Sequence, residues 1–232
     1  MSAARGPRWI IFDAVGTLIF ADPPVHLVYH RIGSAHGSRL SAGEVRTRFR
    51  SAFSSRTGAT ADGAPRKTSE SEERRFWRAV VADVFPDVSD VTACFGELFE
   101  HFASATAWQC FADVAETVPI FQSRGFRLAI ASNFDGRLHR VCRGLEELTA
   151  FEKVIVSSEV GYAKPARQFF DSLLEQCGCS RDSVVFVGDD AVADIAGARQ
   201  SGLEAVHLDR TGRQGDQVIQ TLTELPALLS GS

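Results

Sequence analysis

The chain of 232 residues has no long hydrophobic run, no surplus of basic charge and no even set of cysteines, and each absence removes a class of function. Its strongly apolar stretches are strand-sized, well short of the roughly 20 residues that cross a bilayer, so no membrane-spanning helix is expected. Residues 1–7, MSAARGP, lack the apolar stretch of a secretory signal, and the expected location is cytoplasmic. Lysine and arginine number 25 against 29 aspartates and glutamates, for a formal net charge of -4. A nucleic-acid partner normally announces itself by a basic surplus on one face, so none is expected. Cys94, Cys110, Cys142, Cys177 and Cys179 are odd in number and scattered, which fits reduced thiols better than a disulfide framework. Cys177-Gly178-Cys179 has no second Cys or His pair nearby to complete a zinc site, and Cys177 continues the apolar face of a helix.

What is present is an alternation of two patterns. Short apolar stretches bounded by Gly, Ser, Asn or Asp predict strands over 8–13, 126–131, 153–156, 184–187 and 204–208. Helical spacing between the last four predicts helices over 136–148, 166–177 and 191–201; in the second, Phe169, Phe170, Leu173, Leu174 and Cys177 share one stripe. Gly125 and Gly202 stand where a helix ends in a left-handed residue before a strand. Strands alternating with helices imply an α/β fold, a Rossmann-like parallel sheet in three layers. Residues 21–105 read differently, with helices over 24–35, 41–55, 71–85 and 88–105 and no convincing strand between them. Ser69 and Glu72 resemble a capping box at the third helix, and 57–67 reads as a loop. The expected organisation is a core of 1–20 and 106–232 with an all-helical cap of 21–105 inserted after the first strand. A closing helix is expected over 218–229.

The chemistry-bearing residues fall at strand ends. Asp13 ends the apolar run Trp9-Ile10-Ile11-Phe12 and is followed by Ala14-Val15-Gly16-Thr17-Leu18. Ser132-Asn133 follows Leu128-Ala129-Ile130-Ala131, Lys164-Pro165 follows the 153–156 strand, and Asp189-Asp190 follows Val184-Val185-Phe186-Val187-Gly188, with Asp194 five residues beyond Asp189. Taken singly, Asp13 fits a turn, Ser132 a helix cap, Lys164 a solvated charge and Asp189-Asp190 a helix cap. In a parallel sheet all four sites converge on one edge, the edge where open α/β sheets place ligands. A carboxylate there can attack phosphorus or an activated carbon and form a covalent intermediate. A divalent cation such as Mg²⁺, held by Asp13 and Asp189, would neutralise two approaching anions. Lys164 would add a fixed positive charge, Ser132 and the backbone N–H at Asn133 would bind the transferring group's oxygens, and Asp194 would orient Lys164 or metal-bound water.

On these residues the chain resembles the haloacid dehalogenase-like hydrolase superfamily over nearly its whole length. Asp13-Ala14-Val15-Gly16-Thr17-Leu18 looks like its first motif, Ser132 its second, Lys164 its third, and Gly188-Asp189-Asp190 with Asp194 its fourth; the helical insert matches its first cap type. The resemblance implies Asp13 as nucleophile, Asp13, Asp189 and the Val15 carbonyl as Mg²⁺ ligands, Ser132, Asn133 and Lys164 on the substrate, and Asp190 and Asp194 behind the metal. One residue departs from the pattern. In the superfamily's phosphatases the position of Val15 carries a second Asp that protonates the leaving group and activates water. Asp22, His26 and Asp135 lie near the motifs in sequence and are candidate substitutes. Three readings stay open: a Mg²⁺-dependent phosphatase-type hydrolase on a small phosphorylated metabolite, slow or narrow; a 2-haloacid dehalogenase, in which no second Asp is needed; and a non-catalytic binder of phosphate or a metabolite. Arg74, Arg75, Phe76, Trp77 and Trp108 are candidate cap contacts, with cap core or solvated helix face as the plainer expectation for most.

Overall fold

Trp9, Ile10, Ile11 and Phe12 are all at most 1% exposed, and a strand that is apolar on both faces belongs in the middle of a sheet covered on both sides. The computed structural model, which describes residues 8–57, 65–213, 215 and 217–230, places them there. In chain order the elements are β1 (Trp9–Phe12), β2 (Ile19–Ala21), α1 (Val25–Ala35), α2 (Ala42–Thr57), α3 (Glu70–Val84), α4 (Val91–His101), β3 (Trp108–Cys110) and α5 (Ala112–Ser123). They continue as β4 (Arg127–Ser132), α6 (Arg137–Arg143), β5 (Lys153–Val156), α7 (Ser157–Val160), α8 (Arg167–Cys177), β6 (Val184–Gly188), α9 (Gly197–Gln200), β7 (Glu204–Leu208), β8 (Val218–Ile219) and α10 (Leu225–Leu228).

The sheet runs β5-β4-β1-β6-β7-β8 and every pairing in it is parallel. Counted as six sheet strands this is the 3-2-1-4-5-6 order of a doubly wound fold, whose crevice opens at the carboxyl ends where the order reverses, between β1 and β6. Alternation along β1 divides the core. Ile10 and Phe12 join Val114, Phe121, Leu138 and Val141 on one face, while Trp9 and Ile11 join Phe169, Phe170, Leu173 and Ile195 on the other. The expected three-layer α/β architecture is the one observed.

The chain leaves and re-enters this core through a two-stranded antiparallel ribbon, β2 with β3, pairing Ile19 with Cys110 and Ala21 with Trp108. Between its strands lie α1 to α4, which pack on one another around Tyr29, Val80, Val81, Phe85 and Leu98. Ser69 is the N-cap of α3, accepting from the Glu72 backbone N–H at 3.3 Å. Gly125 and Gly202 adopt the expected positive φ, 77° and 80°. Of the loop expected over 57–67, residues 58–64 lie outside the described ones, as do residues 1–7. No helix among the described residues is long and apolar enough to cross a membrane.

Several boundaries differ from expectation, each for a tertiary reason. The 218–229 segment is not one helix: Val218 and Ile219 pair with His207 and Leu208 as an edge strand, and Thr221 with Glu224 forms a capping box that starts a short 3₁₀ turn before α10. The 136–148 segment breaks at Gly144, and only Arg137–Arg143 is α-helical. Helix α5, whose end at Gly125 was expected without bounds for its start, carries Pro119 inside it, and Val114, Val118 and Phe121 bury its inner stripe.

Asp113 in the first turn of α5 ties distant segments together. Its carboxylate accepts from Arg210 Nη1 at 2.8 Å and Nη2 at 3.0 Å, from Thr221 Oγ1 at 2.9 Å and from the Leu222 N–H at 2.9 Å. Arg210 also donates to the Thr17 carbonyl at 2.9 Å and lies 3.8 Å over the Phe111 ring. Burial alone would raise the Asp113 pKa, but the bonds from Arg210, Leu222 and Thr221 outweigh it and hold the carboxyl below its usual range. A depressed folded pKa adds stability above the ordinary carboxylate pKa and loses it as pH falls through the folded value. Asp113→Asn should therefore destabilise by about 2–3 kcal/mol at pH 7, the scale of hydrogen bonds to a charged group. The difference should shrink below about pH 4. Urea unfolding at both pH values checks this, and an equal penalty at both would remove the ionised carboxylate from the account.

Candidate active site

The crevice between β1 and β6 is built by two sharp departures from the sheet. After Phe12 the backbone keeps one more ladder bond, from Asp13 N–H to the Val187 carbonyl at 2.8 Å, and then turns. Leu18 and Ile19 both donate to the Ala14 carbonyl, at 2.8 and 2.9 Å, and Gly16 donates to Ile19 at 2.8 Å. Gly16 has φ 93°, and a Cβ on it would collide with the Asp189 carboxylate, so the turn requires glycine for both backbone and space. Gly188 closes β6 under a similar constraint, because a Cβ there would strike the Asp194 carboxylate.

Lys164, arriving from the loop after α7, is buried beneath this turn at 5% exposure. Its Nζ donates to Asp13 Oδ1 at 2.6 Å, Asp194 Oδ1 at 2.6 Å and the Ala131 carbonyl at 2.9 Å, so all three protons are engaged. Burial works against the ammonium, but attraction and hydrogen bonding to Asp13 and Asp194 outweigh it, and the Lys164 pKa lies above that of a free lysine. The plain reading of Lys164 as a solvated charge is thus overturned. Asn133 fixes its backbone from both sides: the Lys164 N–H donates to Asn133 Oδ1 at 2.8 Å, and Asn133 Nδ2 donates to the Lys164 carbonyl at 3.0 Å. The amide of Asn133 is thus committed to holding Lys164, and its backbone N–H is the group left at the strand end for a ligand. Ser132 is the last residue of β4 and is buried beside β1.

Asp189 follows β6, accepts from Thr17 Oγ1 at 3.2 Å and meets His207 Nε2 through its carbonyl at 3.0 Å. Partial burial, and then the neighbouring Asp13 charge, push its pKa up to about 6. Asp194 is 1% exposed; its second oxygen accepts from the Asp190 N–H at 3.1 Å, and burial pushes its pKa up. Asp190 itself is exposed and caps the turn that follows, accepting from the Val192 and Ala193 N–H groups at 2.8 Å each. Asp13, Asp189 and Asp194 each present a carboxylate oxygen within 4.8 Å of the others. One ammonium against three carboxylates leaves the cluster with excess negative charge and hard oxygen donors, a set that fits a divalent cation such as Mg²⁺. A cleft of about 440 Å³ lined by Gly16, Asp189, Asp190, His207 and Arg210 opens beside it.

Val15 is 40% exposed in the turn, faces Ile19 through an isolated backbone bridge, and presents only carbon. Of the candidate substitutes for an acid there, Asp135 is buried against Arg137, whose Nε and Nη2 donate to it at 2.7 and 2.8 Å. Asp22 accepts from Gln109 Nε2 at 2.5 Å on the ribbon, and His26 stands half-buried on the first turn of α1. Among the candidate cap contacts, Trp108 is buried and donates to the Phe102 carbonyl at 3.2 Å, and Phe76 and Trp77 pack around Phe53. Arg74 lies 4.7 Å over the Phe99 ring, and Arg75 is exposed. Thr17 and His207 were not anticipated from the sequence. A hydroxyl within an otherwise apolar turn was the only signal for the first, and nothing marked the second.

A family model described as haloacid dehalogenase-like hydrolase matches residues 7–202. The chain is 30% identical over 236 residues to haloacid dehalogenase-like hydrolase domain-containing protein 3 of Danio rerio, covering 96% of each chain. It is 35% identical over 133 residues to the ribulose-1,5-bisphosphate 5-phosphatase of Halopiger xanaduensis, covering 51% of this chain and 56% of that one. Its fold matches that of the HAD-hydrolase YfnB of Bacillus subtilis, solved bound to magnesium, with TM-score 0.76, 16% identity and coverage of 97% and 99%.

Lys164→Met would leave Asp13 and Asp194 buried with no cation. Removing one partner of a buried ion pair costs about 3–5 kcal/mol, and that loss of unfolding free energy is expected at pH 7. Urea unfolding with and without Mg²⁺ checks it; a variant as stable as the parent without the metal would mean the two carboxylates are not held by this lysine.

Proposed function

The chain belongs to the haloacid dehalogenase-like hydrolases, and from that premise we propose that it is a Mg²⁺-dependent phosphatase-type hydrolase in which Asp13 is the nucleophile. The observation that carries the reading is the cluster of three carboxylates around one fully engaged lysine at the β1/β6 crevice. Displacement at carbon by a lone aspartate has no need of such a donor set. The partial relative from Halopiger xanaduensis, named for a phosphatase activity, supports the same direction.

Mg²⁺, when bound by Asp13, Asp189 and the Val15 carbonyl, would supply charge neutralisation between the substrate phosphate and the attacking carboxylate. Lys164 holds Asp13 by Oδ1 and so leaves Oδ2 for attack on phosphorus. The Ser132 hydroxyl and the Asn133 backbone N–H bind the phosphoryl oxygens, and Asp194 keeps Lys164 in place. Helices α1 to α4, within 21–105, serve as the cap over a core of 1–20 and 106–232, and would select a small phosphorylated metabolite. Val15 supplies no proton, and general acid–base catalysis is worth about 10²–10⁴ in rate, so turnover of ordinary phosphate esters is slow. A second reading, dehalogenation of a 2-haloacid, is favoured by Val15 alone, because displacement of halide needs no proton donor.

The test is phosphate release from an aryl phosphate with and without Mg²⁺, run beside halide release from 2-chloropropionate, with Asp13→Asn as blank. Metal-dependent phosphate release lost in Asp13→Asn is the expected result. Metal-independent halide release would overturn it in favour of the dehalogenase, and silence in both would favour a binder. Val15→Asp should raise turnover of esters with poor leaving groups by about a hundredfold, the lower end of the general-acid contribution; no gain in a folded variant would place the limitation elsewhere.

A further inference from the structure

The proton inventory of the crevice restricts what can leave it. Lys164 has each of its three protons on a named acceptor. Asp194 has one oxygen on Lys164 and the other on the Asp190 N–H. Asp135 is closed by Arg137, Asp22 has one oxygen on Gln109, His207 has Nε2 on the Asp189 carbonyl, and Val15 has nothing to give. An alkyl phosphate expels an alkoxide, a base comparable to hydroxide, whose conjugate acid has a pKa of about 15.7 in bulk water. A carboxylate leaving group has a conjugate acid of pKa about 4 and departs as the anion without any proton.

We propose that the phosphoryl donors of this site are acyl phosphates, and that the group persists on Asp13 and exchanges between carboxylates. The inference rests on the aspartyl-nucleophile reading above. An Asp13 carboxylate oxygen forms the new bond to phosphorus, the bond from phosphorus to the acyl oxygen breaks, and the carboxylate leaves with the electron pair. No proton moves in either direction. Donor and phospho-Asp13 are both mixed anhydrides of a carboxylic and a phosphoric acid, so the transfer is nearly balanced in energy and runs backward when a carboxylate is supplied. Hydrolysis differs, because the attacking water must lose a proton. Without a base at Val15 that step forfeits the roughly 10²–10⁴ that proton transfer contributes, and the phosphorylated form accumulates.

The experiment incubates the full chain and Mg²⁺ with acetyl phosphate or, separately, with glycerol 2-phosphate, and reads intact mass together with passage of isotope from labelled acetate into acetyl phosphate. The expected result is one phosphoryl group added by acetyl phosphate and none by the alkyl ester, label exchange, and loss of both in Asp13→Asn. Val15→Asp should shorten the lifetime of the adduct by about a hundredfold or more. Alkyl ester turned over at a rate comparable to acetyl phosphate, with no adduct, would overturn the inference and leave the phosphatase reading standing. Loss of such turnover in His26→Gln or Asp22→Asn would identify the proton donor responsible and overturn it equally. Adduct and exchange persisting in Asp13→Asn would overturn both readings, as would the absence of adduct together with the absence of any metal-dependent phosphate release.

Discussion

A buried ammonium whose three protons are all engaged holds the carboxyl edge of the sheet together. Taking an ion of this size out of water costs several kcal/mol even after relaxation, so Lys164 can lie at 5% exposure only with its acceptors in place around it. Those acceptors come from three strands: Asp13 after β1, the Ala131 carbonyl near the end of β4, and Asp194 beyond β6. The lysine thus converts the register of three parallel strands into one charge arrangement. Much of the neighbouring sequence serves this arrangement. Asn133 clamps the lysine's backbone, Gly188 leaves room for the Asp194 carboxylate, and Gly16 leaves room for Asp189.

The same edge carries the attachment of the helical insert. The residues before α3 pair with the segment just ahead of Lys164: Ala163 N–H donates to the Arg66 carbonyl at 2.9 Å, Thr68 N–H to the Gly161 carbonyl at 3.1 Å, and Lys67 bridges Tyr162. Buried Glu73 fixes that strip, accepting from Thr68 Oγ1 at 2.6 Å and Arg66 Nη2 at 2.9 Å. Glu70 at the start of α3 accepts from the Gly136 N–H at 2.8 Å and from Ser158 Oγ at 2.5 Å. Arg137, bonded to Asp135, lies 3.7 Å over the Phe99 ring of α4. The contacts are polar and directional, and they fall on the loops that carry Asn133 and Lys164. Insert and chemistry therefore share their supports, and displacement of one strains the other.

Much of this was legible in the residues, for reasons particular to each. The apolar runs at 9–12, 128–131 and 184–188, each bounded by turn residues, read as buried strands, and Asp13, Ser132 and Asp189 follow from where those runs stop. The burial of Lys164 was not legible, because it depends on partners 151 and 30 residues away in sequence. The side-chain role of Asn133 was equally hidden, because its amide holds the backbone of a residue 31 positions on. The ribbon of β2 and β3 was hidden because three residues show no period, and each strand is defined only by the other. The Asp113–Arg210 tether escaped notice for the same reason, its partners lying 97 residues apart.

Val15 separates two contributions to catalysis that usually travel together. On the proposed mechanism, charge stabilisation would reside in Lys164, in the carboxylate cluster and in the strand-end backbone, and Val15 disturbs none of these. Proton transfer would fall to the side chain two residues beyond Asp13, and a valine cannot supply it. General acid–base work accounts for about 3–5 kcal/mol of barrier, against the roughly 8–23 kcal/mol by which enzymes lower theirs. On the proposed mechanism, a site that loses the smaller term and keeps the larger one would not be inert. It would be restricted to steps in which no proton has to move at the reacting oxygen, and the physical question it would pose to a substrate is the basicity of what must leave.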